Sequence, residues 1–254
     1  MKTHYRTIWL SDIHLGTWGC KSEFLHSFLK HHTCDKLYLV GDIIDGWRLK
    51  SKFCWPQEHS NILRRFLTLA KRGTKIVYIP GNHDEFLRPW IDDYQLQLGN
   101  LSIEREATHI TADGKQFLII HGDEFDGITR YHKWLAFLGD NAYVVLLKLN
   151  HVLNKFRQRF GAPYWSLSAY LKHKTKQAVS FICDFEVAIA HEARRRKFDG
   201  VICGHIHQPE IKTIQGIIYG NSGDWVESCS ALVEHNDGRL EIIYWTKNED
   251  TDSD

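Results

Sequence analysis

The chain has 254 residues, 43% of them hydrophobic and 13% aromatic, enough for one large α/β domain with a sizeable buried core. Its formal charge is +1, which leaves no bulk electrostatic footprint for nucleic acid, so no nucleic-acid partner is expected. Six cysteines without a C-x-x-C pair support neither a zinc ribbon nor a dense disulfide framework. No cleavable signal precedes the first apolar run. The longest apolar stretch, 143–153, is interrupted by Lys148, Asn150 and His151 and is too short to span a bilayer. The expected location is the cytoplasm, with reduced thiols, and a peripheral contact with the inner membrane stays open.

In chain order, short apolar runs at 7–10, 37–40, 75–79, 117–120 and 201–203 each end in a polar cluster. Runs of this kind predict buried strands. Helical patterns over 23–32 and 58–72 lie between the early ones, the second stopping before Gly73 as a C-cap would. That alternation predicts a largely parallel α/β sheet. From 129 to 197 the pattern is helical with a break near Gly161-Ala162-Pro163, and it reads as an insertion or lid. The core is then 1–128 with 198–246. Strands return at 217–219, 230–234 and 240–245, with Asn236-Asp237-Gly238 turning between the last two. Residues 247–254, polar and acidic, read as a flexible tail.

The chemistry-bearing residues gather behind those strands. Asp12 and His14 follow the first, Gly41-Asp42 the second, and Gly81-Asn82-His83-Asp84 the third. His121-Gly122-Asp123 and Gly204-His205-Ile206-His207 follow the other two. Each motif alone is an ordinary turn. Five together at strand ends converge on the edge where open α/β sheets bind ligands. Mixed Asp, His and Asn donors without thiolates suit divalent ions such as Mn²⁺, Fe²⁺, Zn²⁺ or Mg²⁺. Two such ions held together acidify a water and clamp phosphoryl oxygens, which is the chemistry of phosphoester and pyrophosphate hydrolysis. Asp45, Asp123 and Asp126 are candidates to orient ligands from behind. The Gly-rich stretch 219–225 reads either as a tight turn or as a phosphate-contacting loop.

In order and type, these motifs resemble the calcineurin-like metallophosphoesterases. The resemblance implies a four-layer α/β/β/α sandwich and two divalent ions, with Mn²⁺ the first expectation. It implies that Asp12, His14 and His207 hold one ion, that Asn82, His121 and His205 hold the other, and that Asp42 bridges them. His83 then faces the scissile phosphate, as the group that stabilises charge or protonates the leaving oxygen, and Asp84 orients its ring. Within that superfamily the chain is similar to the UDP-2,3-diacylglucosamine diphosphatases of lipid A synthesis. Ser11 to Leu15, Asp42 with Trp47, His121-Gly122-Asp123 and Gly204 to Pro209 carry the likeness. It implies cleavage of the pyrophosphate in a nucleotide-linked lipid sugar, with 129–197 as the lid that receives acyl chains. Two positions depart from the better-known members, which carry Arg in place of His83 and Glu in place of Asp45. The alternative is a phosphodiesterase or phosphomonoesterase acting on a soluble nucleotide. A fold reused only as a binding scaffold would have lost ligands, and here none of the expected ones is missing. The apolar and basic helical pattern of 129–197 reads equally as a solvated hairpin or as an acyl groove. Trp47, Trp55, Trp90, Trp134 and Trp165 could line a site or stack on a nucleobase, although aromatics more often belong to the core.

Overall fold

A computed structural model describes residues 2–127 and 182–246. Twelve strands and four α-helices are defined, together with a helix over 182–195. The chain divides into two compact units, Met1–Glu124 with Ile189–Asp254, and Phe125–Ala188. Most of the expected insertion, 128–181, lies outside the described residues, as does the tail 247–254.

The first unit holds two sheets. One is formed by β1 (Thr3–Leu10), β2 (His32–Val40), β3 (Lys75–Ile79), β4 (Leu96–Leu98), β5 (Leu101–Ile103), β11 (Ser230–Glu234) and β12 (Leu240–Tyr244), in the order β12-β11-β1-β2-β3-β5-β4. The other is formed by β6 (Ala107–Ile110), β7 (Gln116–Ile119), β8 (Gly200–Cys203), β9 (Glu210–Ile214) and β10 (Ile217–Asn221), in the order β6-β7-β8-β10-β9. Both sheets are mixed, so the single, largely parallel sheet expected from the early alternation is corrected. β1, β2, β3 and β5 run parallel, but β11 and β4 return antiparallel and β12 pairs antiparallel with β11. In the second sheet β7, β8 and β10 are parallel, with antiparallel partners at both edges. The alternation holds only through β3, and the three- and four-residue strands that follow are too short to show a period.

Side-chain alternation explains why the central strands read as unbroken apolar runs. On one face Ile8, Leu10, Leu37, Leu39, Ile76 and Tyr78 pack with Leu25, Phe28 and Leu29 of α1 (Ser22–His31) and Ile62, Phe66 and Leu69 of α3 (Gln57–Lys71). On the other, Trp9, Tyr38, Val40, Val77 and Ile79 meet Phe117, Ile119 and Ile202 of the second sheet. A strand covered on both sides has no polar face to alternate with. Trp9 is fully buried and stacks on Tyr38 with centroids 5.8 Å apart; burial of such a side chain stabilises by roughly 1.5–3 kcal/mol. α3 ends as its sequence foretold. Gly73, at φ +105°, donates to Ala70 O, and Thr74 to Leu69 O. The two sheets lie face to face with helices outside, as the four-layer expectation requires. Among the described residues no helix is long and apolar enough to cross a membrane.

Candidate metal centre

The C-terminal ends of β1, β2, β3, β7 and β8 deliver their polar clusters to one edge of the sandwich. The first two loops run side by side: Asp12 N donates to Gly41 O at 3.0 Å, and His14 N to Asp42 O at 2.9 Å. The parallel pairing is then resumed between Leu15 and Ile44. Asp12, His14, Asp42, His205 and His207 all have positive φ, between 51° and 71°. Five strained non-glycine residues at one edge mark a place where side-chain direction outranks backbone comfort.

The glycines of the motifs answer to crowding between loops. A Cβ built on Gly41 would fall on the His121 ring, one on Gly81 would overlap the Asp42 carboxylate, and one on Gly204 would sit 2.5 Å from Asp12 Oδ2. Each glycine thus lets a donor from another strand come close.

The donors form compact groups. Atoms of Asp12, His14 and His207 lie within 4.8 Å of one another, as do those of Asp42, His121 and His205. Asn82 joins the second group, with Oδ1 3.3 Å from His121 Nε2. Asp42 stands between the groups, one oxygen 3.4 Å from His121 Nε2 and the other 3.9 Å from His14 Nε2. Two ligands of one ion, each bound at ~2.1 Å, stand roughly 3.0–3.4 Å apart in octahedral or tetrahedral geometry. The spacings here fit: 3.2 Å for Asp12 Oδ1 to His207 Nε2, 3.3 Å for Asn82 to His121, and 3.4 Å for Asp42 to His121. Asp12 Oδ1 and His14 Nε2 are moreover buried atoms that make no hydrogen bond among the described residues. Buried polar atoms are rarely left so, and a cation is the partner these oxygens and nitrogens are shaped for.

Electrostatics reflect the same crowding. Burial disfavours charge at His121, but the Asp42 carboxylate outweighs it and the pKa is pushed up to about 10. At His207 burial is likewise overcome, by Asp12, and the pKa is pushed up to about 9. Asp42 is held well below the usual carboxylate range: burial would raise it, but His121, His14 and His83 prevail. The His121 ring is aimed from behind by Val40 O, 2.9 Å from Nδ1.

His83 stands beside this cluster, a quarter exposed, with Nε2 3.9 Å from Asp42 Oδ2. Its partner differs from the one expected. The Asp84 carboxylate is buried and accepts from Ile43 N at 2.8 Å, Asp42 N at 3.3 Å, Gly81 N and the Tyr78 hydroxyl. With its oxygens turned to backbone, Asp84 holds the Asp42 loop against the Asn82 loop and does not orient the His83 ring. Asp45 does the flanking instead, with Oδ1 3.0 Å from His83 Nδ1 and Oδ2 3.5 Å from His14 Nδ1. Its backbone opens α2 (Gly46–Ser51), whose Arg48 N it caps at 2.8 Å. Trp47, in that helix, leans on His83 with centroids 4.3 Å apart.

The Gly-rich stretch is a turn. Ser222 N donates to Cys203 O, Gly223 N to Asn221 Oδ1, Asp224 N to Ser228 Oγ and Trp225 N to Asp12 O. Those amides are engaged, so the phosphate-contacting alternative falls away. Asn221 is a residue that sequence reasoning missed. Buried, it donates to Gly204 O at 2.7 Å and so holds the loop that carries His205 and His207. Arg88 was also missed. Its guanidinium pairs with Asp123 at 2.7 Å and donates to Pro80 O at 3.0 Å, tying the loop after β7 to the one after β3. Of the other tryptophans, Trp55 packs on the helix-side core, Trp90 stacks on Tyr94, and Trp134 and Trp165 lie outside the described residues.

Facing sheets whose parallel strands end in carboxylate, imidazole and amide donors define a metal-dependent phosphoesterase. Residues 5–209 match the calcineurin-like phosphoesterase family, and the chain belongs to it. Among its relatives is the UDP-2,3-diacylglucosamine hydrolase of Xanthomonas oryzae pv. oryzae, 26% identical over 246 residues, which span 91% of this chain and 96% of that protein. The protein of the same name from Aliivibrio fischeri is 26% identical over 255 residues, covering 91% and 94%. The one from Porphyromonas gingivalis is 23% identical over 195 residues, covering 69% and 70%.

Proposed function

We propose that the chain hydrolyses the pyrophosphate of UDP-2,3-diacylglucosamine, or of a closely similar nucleotide-linked lipid sugar, with two divalent ions, Mn²⁺ first among them. The observation that carries the two-ion part is the Asp42 carboxylate, which faces one donor group with each oxygen. The lipid-sugar part rests on the relatives that align with this chain over nearly their whole length.

In this reading Asp12, His14 and His207 hold one ion, Asn82, His121 and His205 the other, and Asp42 joins them. When bound, such a pair supplies hydroxide at neutral pH and neutralises charge on the phosphoryl oxygens. His83 gives a proton to, or stabilises charge on, the departing phosphate oxygen, and the Asp45 carboxylate flanks its ring at Nδ1. Asp84 serves the same chemistry indirectly, by fixing the two loops on either side. A soluble phosphodiester is the second reading, favoured by His83 standing where the specialised diphosphatases carry Arg.

A substrate panel with Mn²⁺ separates them: UDP-2,3-diacylglucosamine, bis-p-nitrophenyl phosphate and cyclic nucleotides. Release of uridine monophosphate from the first is expected. Turnover confined to the small soluble esters would leave only the second reading.

A further inference from the structure

Asp45, His83 and His14 form a third group of donor atoms within 4.8 Å of one another, and the two-ion reading leaves it without an ion. Its spacings are those of a chelate. Asp45 Oδ1 lies 3.0 Å from His83 Nδ1, and Oδ2 lies 3.5 Å from His14 Nδ1, close to the roughly 3.0–3.4 Å expected of ligands sharing one ion. The first contact is short, yet His83 Nδ1 is a buried atom with no hydrogen-bond partner among the described residues. An ionised carboxylate only accepts, so a deprotonated Nδ1 beside it has its lone pair open to a cation. Asp45 is nearly fully buried, whereas His83 is partly open to solvent, so an ion has a way in.

We infer that Asp45 and His83 bind a third, inhibitory divalent ion, of the kind that favours mixed imidazole and carboxylate ligation, zinc above all. The inference rests on the hydrolase reading above and adds a form of regulation to it. His14 accounts for the site's rank. Because His14 is shared with the ion that it would hold with Asp12 and His207, the third ion keeps two protein donors of its own and fills the rest of its shell with water. Such a site is weaker than the two beside it and fills only when zinc is in excess. Once filled, it pins the His83 ring and withdraws it from the leaving oxygen.

The test is equilibrium dialysis of the metal-free full chain against Zn²⁺, with turnover followed in parallel. Three ions are expected for the wild type, the third bound more weakly. Turnover should rise through two equivalents and then fall by about 100-fold as the third site saturates, the scale of a lost general acid. Asp45→Asn, which keeps a good cap for α2, and His83→Gln should each bind two ions. As a readout in the unaltered protein, the His83 imidazole ¹⁵N resonances should move with the third equivalent. A wild type that stops at two ions, or a third ion that persists in both variants and leaves those resonances in place, overturns the inference. Three ions with the expected variant pattern, but no phosphoester hydrolysis at two equivalents, would sink the hydrolase reading and leave the site standing.

Discussion

His83 and Asp42 sit less than 4 Å apart and should fail in different ways. His83 holds no ion in the proposed mechanism, so His83→Ala should keep two ions per chain while turnover falls by about 10²–10⁴. Asp42→Ala removes the carboxylate shared by both groups and should lose metal. Metal analysis of the two variants decides it, and two ions retained in Asp42→Ala would refute the bridging role. The imidazoles add a dependence on pH. His121 and His207, raised to about 10 and about 9, are protonated at neutral pH in the metal-free chain, and an ion must displace those protons. Metal affinity should therefore strengthen as pH rises toward 9, with proton uptake by buffer on binding. Calorimetry in buffers of different ionisation enthalpy measures this; a heat independent of buffer would contradict it.

At the level of elements, the loops hold one another more than they hold the ligands. Asp84 gathers the amides of four residues from two loops and the Tyr78 hydroxyl of β3 into one buried carboxylate. Asp84→Ala strands those donors and should cost about 3 kcal/mol, with metal content falling along with the melting temperature. If stability and metal content stay at wild-type values while turnover alone drops, Asp84 serves His83 after all. The Asp84–His83 pairing that the family resemblance implied shows why loops are hard to read. Adjacent residues in a loop point in unrelated directions, and only the path of the neighbouring loop at Asp42 decides which carboxylate faces which ring. The strands were legible because hydrophobic runs that are covered on both faces leave a plain signature. β4, β5, β6 and β9 were not, because they are short or carry half-exposed and polar residues.

Across the whole first unit, one buried group joins the two sheets far from the metal edge. Glu234 of β11 accepts from Arg6 Nη1 and Thr7 Oγ1 on β1, and pairs with His109 of β6 at 2.9 Å and Ala112 N at 2.7 Å. Burial would raise its pKa, but His109, the Ala112 amide and Arg6 hold it below the ordinary range. A depressed carboxylate stabilises the fold fully above its unfolded pKa of roughly 4.3, and that stability is lost as pH falls through the lower folded value. Glu234→Ala should cost about 3–5 kcal/mol, lowering Tm by roughly 10 °C for a chain of this size. It should also flatten the acid limb of the stability curve. Thermal melts from pH 7 to 3 would show both, and an unchanged acid limb would mean that another carboxylate carries it.

The sequence by itself determined which residue types gather behind the strands. Donors at strand ends and the glycines that let loops touch are choices of residue type, and type is what a sequence records. The pairing of Asp45 with His83, the structural task of Asp84, the engaged amides of 222–225 and the mixed strand directions of the two sheets were decided only by tertiary structure. Each of these turns on the direction of a group and the distance to a partner far along the chain, and neither is written in local pattern or composition.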